Sequence, residues 1–199
     1  MSIYLGSNKI KELYLGSQKI GSIYLGGQKV YSSAPAIPYV TIGNQTWLSK
    51  NLAIDDGNGG IYTQTVNYGQ GSVTEYYYTW AAAVRVAATV QGWHLPSRTE
   101  WNTLATAVGG TSIAGTKLKS TYGWSSGNGT DNYGFSAFPA GYRTASGTFN
   151  SFGSLVRFWT ETASSSSYAY RANLTTDASI GIGTTAKTNC FSVRLVKDS

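Results

Sequence analysis

The residues best suited to contact another molecule lie between positions 142 and 189. This stretch is dense in Ser, Thr, Tyr, Asn and Gly, most of all at residues 164–168 and 175–179. Tyrosine supplies contact area at a low entropy cost, and hydroxyl and amide groups supply adaptable hydrogen bonds. Tyr and Arg also carry much of the energy of protein interfaces. We therefore expect a mostly loop-built binding surface here; the alternative is a set of solvated loops and core aromatic side chains.

The candidates for nucleophilic or metal chemistry are few. His94 is the only histidine, and it lies between Trp93 and Leu95 with no Asp beside it in sequence. One histidine without such partners assembles neither a catalytic triad nor a zinc site, so we expect a structural role. Cys190 is the only cysteine and precedes Phe191 in a strand-like run. We expect a buried, inert thiol and no disulfide within the chain.

Carboxylates leave one enzyme class open. A glycosidase needs two facing carboxylates, and the sequence does not show which acids face each other. A carboxylate-dependent hydrolase is therefore the least favoured of the functions that we consider, and we predict no catalytic residue. The nine acidic residues are Glu12, Asp55, Asp56, Glu75, Glu100, Asp131, Glu161, Asp177 and Asp198.

Two short segments resemble ligand loops only superficially. Residues 55–60 contain oxygen ligands but lack the spacing and the closing Glu of an EF-hand, so we predict a Gly/Asn turn and no metal. The sequence does not decide whether this turn binds a structural calcium ion. Residues 110–117 have the glycine spacing of a phosphate loop, but the order of Lys and Thr is wrong and no strand precedes them. We predict no cofactor.

Composition excludes several classes of protein. The chain has 199 residues, a net charge of +6 and only 12% charged residues, and its basic residues are scattered, which argues against nucleic-acid binding. A hydrophobic fraction of 41% excludes a disordered chain. No apolar stretch approaches about 18 residues, so we expect no membrane insertion. The first residues show no apolar core of a signal peptide.

The N-terminal part is a repeat. Residues 3–10, 13–20 and 23–30 share one pattern with a period of ten: an apolar–Tyr–Leu core, a polar element and a β-branched residue. Such alternation bounded by glycine predicts short strands. A sheet this small must cover its apolar face, so we predict that residues 1–31 oligomerise, as a homotrimer, although docking on the next domain is the alternative. Residues 32–38 contain two prolines and are predicted to form a linker.

From residue 39 the pattern changes to mixed elements. We predict a hairpin over residues 39–47, a long loop over 51–71 and a helix over 78–88. Ser97 and Glu100 form a capping box that begins a second helix, which ends at Gly109 and Gly110. Short apolar stretches separated by polar residues follow. Two early helices and many later strands predict an α+β fold.

The ordered motifs of this domain resemble a known family. They include VTIGNQTWLSKNL (40–52), GWHLPSRTEW (92–101), DNYGFSAFPAGYR (131–143) and FSVRLVKD (191–198). The chain is identified by them as a member of the Fibrobacter succinogenes major paralogous domain family. The resemblance implies a C-type lectin-like domain over residues 39–199, related to formylglycine-generating enzymes and to the variable proteins of diversity-generating retroelements. The single cysteine departs from the pair that those enzymes use.

The whole plan, a strand-repeat module before a lectin-like domain, is similar to phage major tropism determinants, which are trimeric tail-fibre tips with a β-prism. This implies a non-enzymatic receptor-binding protein of a virion tail, made in the host cytoplasm, which binds a bacterial surface protein or glycan. The alternative is a lectin-like adhesin of a bacterial surface or pilus tip. By resemblance to the retroelement-diversified relatives, the candidate ligand-binding residues are Tyr142, Arg143, Thr144, Ser146, Phe149, Ser154, Arg157, Tyr168, Tyr170, Arg171, Asn173, Thr175, Asp177, Thr184, Thr185 and Lys187.

Overall fold

A computed structural model describes residues 37–198 throughout and, before them, the paired strand residues between positions 4 and 32. The chain forms two compact units, Met1–Ile37 and Pro38–Ser199. Most of the predicted linker, residues 33–36, lies outside the described residues. So do the side chains of residues 1–31, on which the predicted trimer depends.

In the first unit each ten-residue repeat is one antiparallel hairpin. The strands are β1 (Tyr4–Leu5) with β2 (Asn8–Lys9), β3 (Tyr14–Leu15) with β4 (Gln18–Lys19), and β5 (Ser22–Leu25) with β6 (Gln28–Ser32). The prediction of short strands is confirmed. The polar element of each repeat contributes its last two residues to the return strand, as the pairing of Leu5 with Asn8 shows.

The second unit begins and ends in one four-stranded antiparallel sheet. Its order is β11 (Trp93–His94), β17 (Val196–Lys197), β8 (Gln45–Leu48), β7 (Tyr39–Ile42). The predicted hairpin is confirmed, and its turn includes Gly43 in a left-handed conformation with φ of 61°. Because β17 pairs with β8, the last strand closes the domain against its first hairpin.

The predicted loop over residues 51–71 is wrong in its second half. Strand β9 (Ile61–Asn67) pairs with β10 (Ser72–Tyr78) along its whole length. Four of the seven β9 side chains are exposed in a row, so the apolar alternation that reveals a half-buried strand is absent. The glycines near its end belong to the tight turn between the two strands.

Three helices lie in the described part of the chain. Helix α1 (Trp80–Ala87) is capped by Thr79, and α2 (Arg98–Ala107) begins with both halves of the predicted capping box. The third helix, α3 (Thr111–Leu118), was not predicted, and it occupies the segment with phosphate-loop spacing. It has no side-chain cap and an internal glycine, so the local signals that favour a helix are missing.

The expectation that residues 142–189 are mostly loop is also wrong. After the small hairpin of β12 (Tyr142–Arg143) and β13 (Phe149–Asn150), three long strands form an antiparallel meander. They are β14 (Leu155–Ala163), β15 (Tyr168–Thr175) and β16 (Ile180–Ala186). The Ser- and Thr-rich segments that suggested loops are the two turns of this meander.

One face of the meander forms the core with the helices. Val156, Phe158 and Leu174 are fully buried in one apolar cluster with Trp101 and Leu104 of α2. The packing of helices on one face of antiparallel strands confirms the α+β class. None of the helices in the described residues is long and apolar enough to cross a membrane.

Candidate binding face

The second face of the meander carries polar side chains. Arg157 pairs with Asn173 and Asn173 with Gly181, whereas Arg171 pairs with Gly183. Directly paired residues share a face, and successive residues alternate between faces. These five residues therefore lie on the side opposite the core cluster. We call them the arginine face.

The two arginines of this face lie close together. The Cζ atom of Arg157 is 4.1 Å from the ring centroid of Tyr142 and 5.5 Å from that of Phe191. Arg171 donates through Nη1 to Oδ1 of Asn173. Burial lowers the pKa of Arg171, and the positive charge of Arg157 lowers it further. Arginine side chains stay protonated in proteins, so this face carries positive charge.

The positive charge of the face has no internal counterion within the described part of the chain. No carboxylate there lies within 4.0 Å of the guanidinium of Arg157 or Arg171. Among the same residues, the buried Nε atoms of both arginines have no hydrogen-bond partner. Buried donors are normally paired, so the contacts within the fold leave part of the hydrogen-bonding capacity of both arginines unused.

Strand β16 leaves the surface beside the arginines open. Gly181 and Gly183 both lie on the arginine face, so this part of the strand adds no side chain there. A Cβ atom at Gly183 would have no neighbour within 4 Å, whereas one at Gly181 would lie 2.9 Å from the amide oxygen of Asn173. Farther along β14, Trp159 is buried with its ring centroid 4.3 Å from that of Phe191. Because Trp159 pairs directly with Arg171, the side chain of Arg171 lies between a buried aromatic ring on β14 and the open position of Gly183 on β16.

The β12–β13 hairpin extends this surface. Tyr142 lies under Arg157, and the Cζ atom of Arg143 is 3.6 Å from the ring centroid of Tyr62. In the connecting turn, the hydroxyl groups of Thr144 and Ser146 are 2.8 Å apart. Phe149 packs on Tyr77 of β10, and Ser154 donates to the carbonyl of Ser151 in the loop before β14, so both predicted residues make contacts within the fold.

Other predicted residues lie elsewhere. Tyr168, Tyr170 and Thr184 have the opposite strand parity and lie on the helix side of the meander, where Arg98 of α2 stacks on Tyr170 at 4.5 Å. Lys187 stacks on Trp80 at 4.0 Å and donates to the carbonyl of Ser165.

At the β15–β16 turn, Thr175 donates its hydroxyl to Asp177 at 3.2 Å. The sixteen predicted residues thus lie in the β12–β13 hairpin, on both faces of the meander and next to its strand ends, including the β15–β16 turn.

Sequence reasoning missed four residues of this region. Asn189 accepts from the amide of Ala145 and donates to the hydroxyl of Thr185, which connects the β12–β13 turn with β16. Gly181 and Gly183 open the face, and the alternating Ile–Gly pattern of residues 180–183 was the available signal. Tyr62, the stacking partner of Arg143, had no signal because its strand was predicted as a loop.

A cavity of about 660 Å³ forms a second candidate site. Buried Glu75 is in its lining, and its carboxylate accepts from the hydroxyl of Tyr68 at 2.9 Å and from the amide of Asn51 at 2.8 Å. Asp131, a second carboxylate of the lining, accepts from the backbone N–H and the hydroxyl of Ser136. All four carboxylate oxygens therefore hold the fold together, as expected of structural acids.

A fully buried arginine lies beside this cavity. Arg194 donates through Nε to the side chain of Asn51 at 2.7 Å and through its other nitrogens to the carbonyls of Leu48, Phe135 and Ser136. Burial lowers the pKa of Arg194 to about 9, against the opposing charges of Glu75 and Asp131. Arg194 and Asn51 thus connect the C-terminal segment to the start of the domain.

The expectation that no Asp lies near His94 is wrong, because the fold brings Asp198 next to its side chain. Nδ1 of His94 is 2.7 Å from Asp198, and Nε2 is 2.8 Å from Glu100 of the capping box. Burial lowers the pKa of His94, but the hydrogen bonds and charges of the two carboxylates outweigh it and raise the pKa above its ordinary value. These bonds connect α2 to the end of the chain.

The remaining metal and thiol candidates are accounted for by internal contacts. Asp56 forms an ion pair with Arg85 at 2.7 Å and accepts from the backbone of Asn58. Within residues 37–198, no three His, Cys, Asp or Glu side chains lie together as a metal site. Cys190 is fully buried, and burial raises the pKa of its thiol.

Comparison with known proteins places the second unit in a family. A search of curated proteins and a search of solved structures found no match. The model of the Fibrobacter succinogenes major domain matches residues 40–197, which is nearly all of the second unit and most of the chain. The chain therefore belongs to the Fibrobacter succinogenes major domain family.

Proposed function

We propose that this chain is a non-enzymatic receptor-binding protein whose arginine face contacts the receptor. The observation that carries the proposal is the pair Arg157 and Arg171, whose charges have no carboxylate partner among the described residues. Unpaired charged groups that are partly buried destabilise a fold, and such groups cluster at functional sites. Their position on a packed sheet provides the rigid support that a binding surface requires.

The proposed architecture is a C-type lectin-like domain on a prism-like repeat module. The α+β plan with its C-terminal meander agrees with the lectin-like domain, and the three hairpins of the first unit agree with a module that assembles around a three-fold axis. An assembly of three copies would bind with a higher overall affinity than one copy, because the second and third contacts form at high local concentration. We propose that the protein is the tip of a phage or prophage tail fibre.

Adsorption to bacterial cells tests the proposed function. Fluorescently labelled full chain is titrated onto a panel of bacterial strains, and unlabelled chain is added as competitor. We expect saturable adsorption to some strains, displaced by the competitor, because a receptor is present in limited number. Adsorption that is absent from every strain, or that never saturates, contradicts a receptor-binding role.

The alternative is that the protein is an adhesin displayed on a bacterial surface, which binds its receptor through the same arginine face. Antibody labelling and electron microscopy of the producing culture separate the two. A phage tip places the label at the tail ends of particles, whereas an adhesin places it on the envelope of the producing cell.

A hydrolase is the second candidate function, and the cavity with two carboxylates is the observation that favours it. Glu75 and Asp131 both line this space. A hydrolase would release reducing ends from bacterial polysaccharides and lose this turnover in Glu75→Gln. We expect no turnover from either protein, since both carboxylates are held by internal donors.

A further inference from the structure

We infer that the arginine face binds an oxyanion, a carboxylate, sulfate or phosphate, carried by a polysaccharide. This inference rests on the proposed function and names the chemical class of its receptor. It assigns the central contact to Arg157 and Arg171.

The first argument is charge. Two guanidinium groups on neighbouring strands repel each other, and the described residues supply no carboxylate to offset this. Guanidinium groups bind carboxylate, sulfate and phosphate oxygens with paired N–H donors. One oxyanion between the two arginines would therefore neutralise charge that the fold leaves unbalanced.

The second argument is the hydrogen-bond inventory. The Nε atoms of Arg157 and Arg171 are buried and have no partner among the described residues. Asn173 takes up one N–H of Arg171 and leaves the others. The structural Arg194 instead makes four hydrogen bonds, one of them through its Nε atom.

The third argument is access. Gly183 pairs directly with Arg171 and has open space where its Cβ atom would be. A ligand group can therefore approach Arg171 over β16 at the position of Gly183 without meeting a side chain there.

The groups around the arginines favour a saccharide over an acidic peptide. Asn173, Thr185 and Asn189 present amides and hydroxyls, which both donate and accept hydrogen bonds. Sugar hydroxyls need partners of this kind. The ring of Tyr142 adds an aromatic surface next to Arg157.

The direct test uses the full chain and four soluble polymers: polygalacturonate, dextran sulfate, neutral dextran and poly-L-glutamate. Affinity is measured by biolayer interferometry at fixed ionic strength. We expect one or both charged polysaccharides to bind at least about tenfold more tightly than dextran or polyglutamate, and the better of the two identifies the carboxylate or the sulfate. Equal binding of dextran, or preferential binding of polyglutamate, overturns the inference.

A matched pair of variants locates the contact. Gly183→Glu places a carboxylate opposite Arg171, where cross-strand neighbours interact, and Gly183→Gln has the same shape without charge. We expect Gly183→Glu to weaken binding of the preferred polysaccharide about tenfold or more, and Gly183→Gln to stay within about threefold of the parent. Equal affinities of the two variants overturn the inference.

A second pair separates a built site from general attraction between a basic protein and a polyanion. The double variant Arg157→Gln/Arg171→Gln is compared with Lys50→Gln/Lys197→Gln, which removes the same charge from exposed lysines. Only the arginine variant should lose binding; equal losses in both overturn the inference. Thermal unfolding shows whether the variants are folded. If the arginine variant unfolds, the comparison of Gly183→Glu with Gly183→Gln still tests the inference.

Cell adsorption distinguishes failure of this inference from failure of the proposed function. If the full chain adsorbs saturably to cells but Gly183→Glu adsorbs as Gly183→Gln does, the anionic ligand is wrong and the receptor-binding role stands. If no strain binds the chain in a saturable way, the proposed function fails first.

Discussion

At the scale of single residues, three arginines of the described domain have different roles. Arg194 is fully buried, and its guanidinium donates to four acceptors from two segments of the chain, residues 48–51 and 135–136. Arg157 and Arg171 lie partly exposed with unpaired N–H groups. The same residue type thus stabilises the fold in one place and forms the proposed ligand contact in another.

Arg194→Lys tests the structural arginine. The three donors of an ammonium group sit on one atom and cannot reach four acceptors that surround a planar fork. Buried acceptors left unpaired cost about 1–3 kcal/mol each, so we expect the free energy of unfolding to fall by about 3 kcal/mol. Urea denaturation measures this. Arg98→Lys at an exposed position is the control and should change stability little; equal stability of Arg194→Lys and the parent would contradict the proposed role.

His94 predicts a dependence of stability on pH. Its pKa in the folded chain lies above the unfolded value, since Asp198 and Glu100 favour the charged ring. A base with a raised pKa adds stability that is fully present below the unfolded pKa, near 6.5, and is lost as pH rises through the folded pKa.

We therefore expect the free energy of unfolding to fall between about pH 6 and pH 8 in the parent and to stay level in His94→Gln. Urea denaturation at several pH values compares the two. Because the chain has one histidine, parallel curves would show that the contacts of His94 do not stabilise the fold.

At the scale of elements, α3 depends on a glycine. A Cβ atom at Gly115 would lie 2.5 Å from the carbonyl oxygen of Ser179 and 2.7 Å from that of Ala178. Ala normally stabilises a helix relative to Gly, but here it would push α3 away from the β15–β16 turn.

We expect Gly115→Ala to lower the free energy of unfolding by about 1–3 kcal/mol, against the helix-propensity scale. Gly183→Ala is the matched control, because its Cβ atom has open space, and it should leave stability nearly unchanged. Thermal and urea unfolding measure both. A Gly115→Ala protein more stable than the parent would show that α3 does not pack this closely.

The elements that sequence analysis predicted correctly are those with local signals. The hairpin of β7 and β8 and the capping box of α2 depend on residues a few positions apart. Helix α3 and strand β9 are determined by packing against distant segments, so their own residues do not reveal them. Residues 168–174 of β15 were visible as a short apolar stretch, but the polar composition of the region 142–189 as a whole favoured loops.

The candidate site was predictable only in part, for the same reason. Arg157, Arg171 and Asn173 were named from resemblance, but their grouping follows from the register of three strands. That register also separates Tyr170 and Thr184 from them. The role of Gly181 and Gly183 can be recognised only when the pairing of the strands is known. Their lack of a side chain leaves space next to Asn173 and Arg171 on the neighbouring strand.

At the scale of the whole molecule, we propose a lectin-like domain preceded by a repeat module that assembles three chains. The family match begins at residue 40, so the first unit lies outside the matched domain. Light scattering coupled to size-exclusion chromatography tests its role. We expect a mass three times the 21.3 kDa of one chain for the full protein, and the mass of a single shortened chain after deletion of residues 1–31. A monomeric full chain at micromolar concentration contradicts the trimer.

The most direct test of the central claim is adsorption to bacterial cells by two variants with the same new side chain on opposite faces. Gly183→Trp covers the arginine face, and Thr184→Trp, one residue later, places the ring on the helix side of the meander. The account predicts that Gly183→Trp loses saturable adsorption and that Thr184→Trp keeps it, with both variants folded. Normal adsorption by Gly183→Trp would contradict binding through the arginine face.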